Sequence, residues 1–331
     1  MSGPASSVDV VAAARGMQKE LRERADEIEN GRRLPSDLAA RFGEAGFYRT
    51  CVPEVYGGLE LPPATTMELV ETLARADGSS AWCVFIGATS GTVLALLPPD
   101  AAREIFHRED VLLGGVFAPR GKAVAVDGGF TVNGHWQWGS GTQNADWVMG
   151  GCQVIRNGEP ERMKNGAPRS RMMIAPRSEI EFLDTWHVSG LCGTGSTDFV
   201  MKDLFVPEGR AGGIGSDGPL ERPLYAFPQF GLLAMGIAAV AMGLARAAID
   251  CLVEVAGGKT PSGSSRRLAE RPAAQSEVSQ AEAALRSARS FYYEVIERAW
   301  QAALEHGAIS VAHRRDVRLA TTWATRQSAA A

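Results

Sequence analysis

Gly134-His135-Trp136-Gln137-Trp138-Gly139-Ser140-Gly141-Thr142-Gln143-Asn144-Ala145-Asp146-Trp147 is the stretch on which the reading of this chain turns. Residues i and i+2 of a strand share a face, so Trp136 and Trp138 are expected side by side. A Gly-Ser-Gly turn follows and offers the small hydroxyl of Ser140 just past the second indole. A planar apolar wall with donors and acceptors at its end suits a flat isoalloxazine ring. It equally suits a well-packed strand pair closed by a glycine turn, because aromatic residues are common in core strands.

A second stretch, Trp186-His187-Val188-Ser189-Gly190-Leu191-Cys192-Gly193-Thr194-Gly195-Ser196-Thr197-Asp198, carries a Gly-Thr-Gly-Ser loop. Successive backbone N–H groups and hydroxyls in such a loop can meet an anion; a simple turn explains the same residues. The loop is not a dinucleotide fingerprint, since GTGSTD lacks the third glycine and a βαβ setting.

Working outward, the hydrophobic period divides the chain into three. Residues 1–112 read as helical: Pro35-Ser36 opens a segment closed by Gly46, Thr65 and Glu68 form a candidate capping box, and Pro98-Pro99-Asp100 starts a further helix. Residues 113–224 read as a β region. Ala123–Val126, the turn Asp127-Gly128-Gly129 and Phe130–Val132 predict a hairpin, with further strands at 147–154, 171–175, 180–183 and 199–206 and a solvated loop at 156–170. Residues 225–331 return to helices. One over 230–255 is ended by Gly257-Gly258, a second covers 275–306, and a third begins at Ile309. Helices, a β region and helices again predict an α+β protein with its site where the regions meet. The last residues, ATRQSAAA, carry no cap or stop signal, so a longer C-terminal region is expected.

Composition narrows the function. Of 331 residues, 45% are hydrophobic and 22% charged, and the formal charge of -4 gives no reason to expect nucleic-acid binding. Five scattered cysteines (Cys51, Cys83, Cys152, Cys192 and Cys251) without a CxxC pair argue against a disulfide framework or a zinc site, and point to a reducing, cytoplasmic setting. No secretory signal pattern opens the chain. The longest uncharged run, residues 224–245, is interrupted by Pro228 and Gln229 and reads as a buried core helix; a membrane span needs about 20 predominantly apolar residues. There is no HExxH, no GxSxG elbow and no GxGxxG after a strand, so a metal enzyme, a triad hydrolase and a nicotinamide dehydrogenase find no support.

Taken together, in this order and with helices on either side, the two stretches resemble the acyl-CoA dehydrogenase superfamily over about residues 10–331. A GxKxWITN-like segment of that family matches Gly134 to Gly141, and its later Gly-Thr/Ser loop precedes a strand ending in Val206-Pro207. The resemblance implies an N-terminal helical domain, a middle β-barrel or sandwich and a C-terminal helical bundle assembled as a homotetramer. It places Trp136, Trp138 and Ser140 against a flavin ring, with Thr194, Gly195 and Ser196 near it. Arg266, Arg267 and Arg271 fall where basic groups of the family reach flavin phosphates, though a solvated basic loop fits them as well.

WxWxSG followed by ADW, the ADGSSAW run at 76–82 and GTGSTD resemble most the two-component monooxygenases. That branch implies FMN or FAD, reduced by a separate flavin reductase, and O2. A C4a-(hydro)peroxide then hydroxylates a small organic substrate, with Ser140 at the flavin edge near N5. The dehydrogenase alternative needs a base for α-proton abstraction. Phe117-Ala118-Pro119 lacks the acid of the TEP-like motif, and residues 230–242 hold no carboxylate. A truncated, non-catalytic relative is the third possibility. Among the histidines, His107, His306 and His313 read as solvated, His135 alternates away from the tryptophan face, and His187 is the one with acid–base potential.

Overall fold

The hydrophobic period changes twice along the chain, and the backbone follows it. In the computed structural model, which describes residues 9–213 and 220–331, six helices come first: α1 (Val10–Glu23), α2 (Ala25–Gly31), α3 (Ser36–Glu44), α4 (Pro63–Ala74), α5 (Gly78–Ser90) and α6 (Pro99–Ile105). Asp9 and Asp77 cap α1 and α5 by accepting from the amides of Ala12 and Ser80. The expected capping box at Thr65 does not form. Proline's fixed φ suits the first helical position, so α4 starts at Pro63 and Thr65 lies inside its first turn.

Strands β1 (Leu113–Val126), β2 (Gly129–Trp136), β3 (Trp147–Arg156), β4 (Glu159–Pro160), β5 (Ser170–Pro176), β6 (Glu181–Leu183), β7 (Asp198–Pro207) and β8 (Ala211–Gly213) form one mixed sheet. Its order is β6-β7-β2-β1-β3-β5-β8, with β4 on β3. The expected hairpin pairs Val126 with Gly129 and Ala123 with Val132. β1 and β3 run parallel, and their register shifts between Val116 and Gly121, so Phe117–Arg120 bulge out of the ladder.

Helices α7 (Gln229–Gly258), α8 (Pro272–His306) and α9 (Val311–Ala330) complete the described fold. α7 ends where Gly257-Gly258 were expected to end it, but without a glycine cap. Neither takes the left-handed conformation of a capping glycine, and the chain leaves the helix at Lys259. Gly307, at φ +65°, is the glycine that does stop a helix, α8. Residues 78–96 and α7 are long and apolar enough to cross a membrane, yet 83% and 56% of their apolar windows are buried in this fold. The two helices pack on each other. A Cβ on Gly236 would overlap the Phe85 ring, so only glycine lets α7 approach α5 this closely. Buried Tyr292 donates to the Met235 carbonyl at 2.8 Å and fastens α8 to α7, aided by an Arg246–Glu282 ion pair.

Gly236→Ala is expected to cost about 1–3 kcal/mol, because the added methyl must displace Phe85; denaturant melts measure it. The Arg246 hydrogen bond holds the Glu282 carboxyl below its ordinary value of 4.5. A carboxylate with a depressed folded pKa adds stability above its unfolded value and loses it as pH falls through the folded one. The fall in melting temperature between about pH 6 and about pH 3 should therefore be shallower in Glu282→Gln than in the wild type.

Candidate active site

β2 and β7 are sheet neighbours, with Trp136 opposite Phe199, so the loop leaving β2 and the loop entering β7 emerge side by side. Their backbones continue the pairing. The Gly139 amide donates to the Thr197 carbonyl and the Gly141 amide to the Thr194 carbonyl, both at 2.9 Å. Gly195, at φ +53°, supplies the left-handed turn that the second loop needs.

This pairing brings three buried hydroxyls into a row. Ser140 Oγ lies 2.7 Å from Ser196 Oγ, which lies 2.6 Å from Thr194 Oγ1. The indole N–H of Trp82, on α5, donates to Ser140 Oγ at 3.0 Å. Beneath them the Cys83 thiol donates to the Thr194 carbonyl at 3.6 Å; burial pushes that thiol up and keeps it neutral. Trp82 closes the ADGSSAW run, but 58 residues separate it from Ser140 and no local pattern links them.

The two tryptophans part company. β2 ends at Trp136, whose indole is fully buried, stacks on Phe199 at 5.2 Å and donates to the Gly151 carbonyl. It belongs to the core and presents no face to a ligand, which corrects the expectation that it shares a wall with Trp138. Trp138 lies past the strand, 67% exposed and at φ +65°. A non-glycine residue held there costs roughly 1–2 kcal/mol.

An apolar strip runs along α7. Phe230, Ile237 and Leu244, seven residues apart on α7, are all exposed. Phe230 meets Phe117 of the β1 bulge at 6.5 Å, while Leu244 and Leu191 crowd the same side of Gly78. Phe85, packed on Gly236, meets Trp82 edge-on at 5.5 Å, so the strip and the hydroxyl row share one supporting layer. Beside Phe230 opens a cavity of about 800 Å³, lined by Thr92, Leu96, Tyr225, Phe227 and His306 among others. His306 is exposed, as expected, and borders this cavity.

The remaining sequence-based candidates lie elsewhere. His187 is exposed, and its polar neighbours are Arg32 at 3.1 Å and Asp184 at 3.4 Å; it does not reach the hydroxyl row. Gly195 and Thr197 line a separate cavity of about 290 Å³ with Arg32, Arg33 and Gln143. Arg267 stays at the α7–α8 connection, donating to the Gly257 carbonyl at 3.4 Å. For a flavin ring the residues near Ser140 fit: an exposed indole two residues before it, a row of hydroxyls and no charged side chain within the hydrogen-bonded row.

Comparison with known proteins identifies relatives of the chain. Residues 10–104 match the family model "Acyl-CoA dehydrogenase, N-terminal domain", and residues 235–331 match "Acyl-CoA dehydrogenase, C-terminal domain". The indole-3-acetate monooxygenase of Pseudomonas putida is 37% identical over 332 residues, covering 99% of this chain and 83% of the relative. The flavin-dependent monooxygenase oxygenase subunit HsaA of Rhodococcus jostii is 36% identical over 247 residues, 72% of this chain and 63% of that one. The crystal structure of the 3-HSA hydroxylase from Rhodococcus sp. RHA1 superposes with a TM-score of 0.88 at 29% identity, over 98% of this chain and 84% of that one.

Trp136→Ala should destabilise the protein by about 3–5 kcal/mol, the usual cost of emptying a large aromatic site. Trp138→Gly should change stability by less than about 1 kcal/mol, since glycine relieves the positive φ. The same change should weaken binding of oxidised FMN or FAD severalfold. Urea melts and flavin fluorescence quenching separate the two outcomes.

Proposed function

The chain belongs to the acyl-CoA dehydrogenase family, among the flavin-dependent monooxygenase oxygenase components that take reduced flavin from a separate reductase, and from that premise we propose that it hydroxylates a small planar aromatic substrate of about indole size. The observation that carries the reading is the corner where Ser140 is held by Trp82 and Ser196, with Trp138 exposed two residues before it. Reduced flavin, when bound, supplies the electrons that activate O2.

The chain's own residues do the rest. Trp138 offers a plane for the ring, and Ser140 a hydrogen bond at its polar edge. Phe230, Ile237 and Leu244 offer exposed apolar surface on α7. The cavity at Phe230, walled by Phe227 and Tyr225, suits an aromatic guest in size and character. An aromatic substrate also agrees with the name of the Pseudomonas putida relative, an indole-3-acetate monooxygenase. No carboxylate stands at the start of α7, between residues 230 and 242, to act as a base on a thioester. Thr194, Gly195 and Ser196 support the flavin edge from behind Ser140.

The reading extends to assembly and setting. Exposed Leu304, Val311, Leu319 and Trp323 on α8 and α9 are in keeping with a homo-oligomer, a tetramer in this reading. The five free thiols are in keeping with the cytoplasm.

Purified chain mixed with chemically reduced FMN or FAD, O2 and a panel of indoles and phenols tests the proposal. The expected result is a product carrying one added oxygen atom, with a matching fall in hydrogen peroxide. Oxygen uptake and peroxide yield identical to those of free reduced flavin, with every compound of the panel, would sink it.

A further inference from the structure

Hydrogen counting in the buried row decides which way Ser140 points. Its three hydroxyls carry three hydrogens, and the two O···O contacts use two of them. The third remains on one of the three oxygens. Thr194 and Ser196 are only 2% and 4% exposed, and their hydroxyls make no further hydrogen bond among the described residues. A surplus hydrogen on either would be a buried donor without a partner, the costly outcome. Ser140, at 8%, is the most exposed of the three and adjoins the loop that carries Trp138.

Trp82 completes the argument. An indole nitrogen only donates, so its bond to Ser140 Oγ has one possible direction. A serine oxygen accepts two hydrogen bonds; with Trp82 and Ser196 both donating to it, Ser140 has no lone pair left to offer. We infer that Trp82 is a positioning residue that, with Thr194 and Ser196, makes the Ser140 hydroxyl a donor toward the site, reserved for an acceptor atom at the polar edge of the flavin. The row runs Thr194 to Ser196 to Ser140 to ligand. Each hydroxyl that accepts becomes a better donor, so the last member is the strongest. Trp82 itself is held by Phe85, which rests on Gly236, so the packing of α5 on α7 sets the polarity of a group at the end of β2.

The inference rests on the flavin reading of this site, and three variants test it: Trp82→Phe, Ser140→Ala and the pair combined. In flavin-free protein, Ser140→Ala should shift the Trp82 indole N–H resonance, identified by its loss in Trp82→Phe. Trp82→Phe should weaken binding of oxidised FMN about fivefold, the size of one neutral hydrogen bond, and raise the share of O2 released as peroxide. Added to Ser140→Ala, it should cost nothing more. Ser196→Ala, which removes the other incoming bond, should act in the same direction and serves if Trp82→Phe folds poorly. An equal Trp82→Phe penalty with and without Ser140 would make Trp82 a packing residue and overturn the inference, as would an indole resonance indifferent to Ser140→Ala. A wild-type chain that binds no flavin overturns the functional reading instead, while the resonance still judges the Trp82–Ser140 bond.

Discussion

The amides of Gly139 and Gly141 donate to the carbonyls of Thr197 and Thr194, and on those two bonds the arrangement of the site depends. They carry the β2–β7 ladder past the ends of the strands, where a sheet would ordinarily fray into solvated loops. Because the backbones are paired, the side chains between them are enclosed. Three hydroxyls in that position must satisfy one another, and they do so at 2.6–2.7 Å. Main-chain hydrogen bonds of this kind hold the hydroxyls in place, which is what a preorganised donor requires.

The second constraint comes from the helices. Gly236 lets α7 settle against Phe85, and Phe85 in turn sets the edge on which Trp82 rests. Helix packing thereby delivers an indole N–H to a hydroxyl on the sheet. The members of this row are neutral, and the Cys83 thiol below them is kept neutral by burial. Such a corner favours hydrogen-bond direction over charge as its means of acting on a ligand. The burial of Thr194 and Ser196 fits that reading, because hydrogen bonds gain strength where water is kept away.

Local patterns were readable where neighbours in sequence decide the outcome. The Asp127-Gly128-Gly129 turn, the α6 start at Pro99 and the change of period near residue 113 all follow from short-range sterics. Misreadings fall where a distant residue decides. Strand alternation put Trp136 and Trp138 on one face, yet pairing with Phe199 ends β2 at Trp136, and the next residues turn into the loop. Thr65 has the spacing of a cap but competes with Pro63, which is better suited to begin the helix. His187 precedes the Gly-Thr-Gly-Ser loop in sequence, yet Arg32, from the end of α2, holds it on the outer surface.

By itself the sequence determined the class of fold, the kind of cofactor and the two glycine-rich loops that the fold pairs. Those follow from periodicity, from glycine and hydroxyl spacing and from resemblance, all carried by neighbouring residues. Tertiary structure alone decided that the loops meet, that Trp136 belongs to the core, and that Trp82 joins Ser140 from 58 positions away. The physical reason is that a hydrogen bond has a direction only when both partners are in place. Ser140 can be recognised in the sequence as a hydroxyl; whether it gives or accepts a proton depends on an indole that the packing of two helices brings to it.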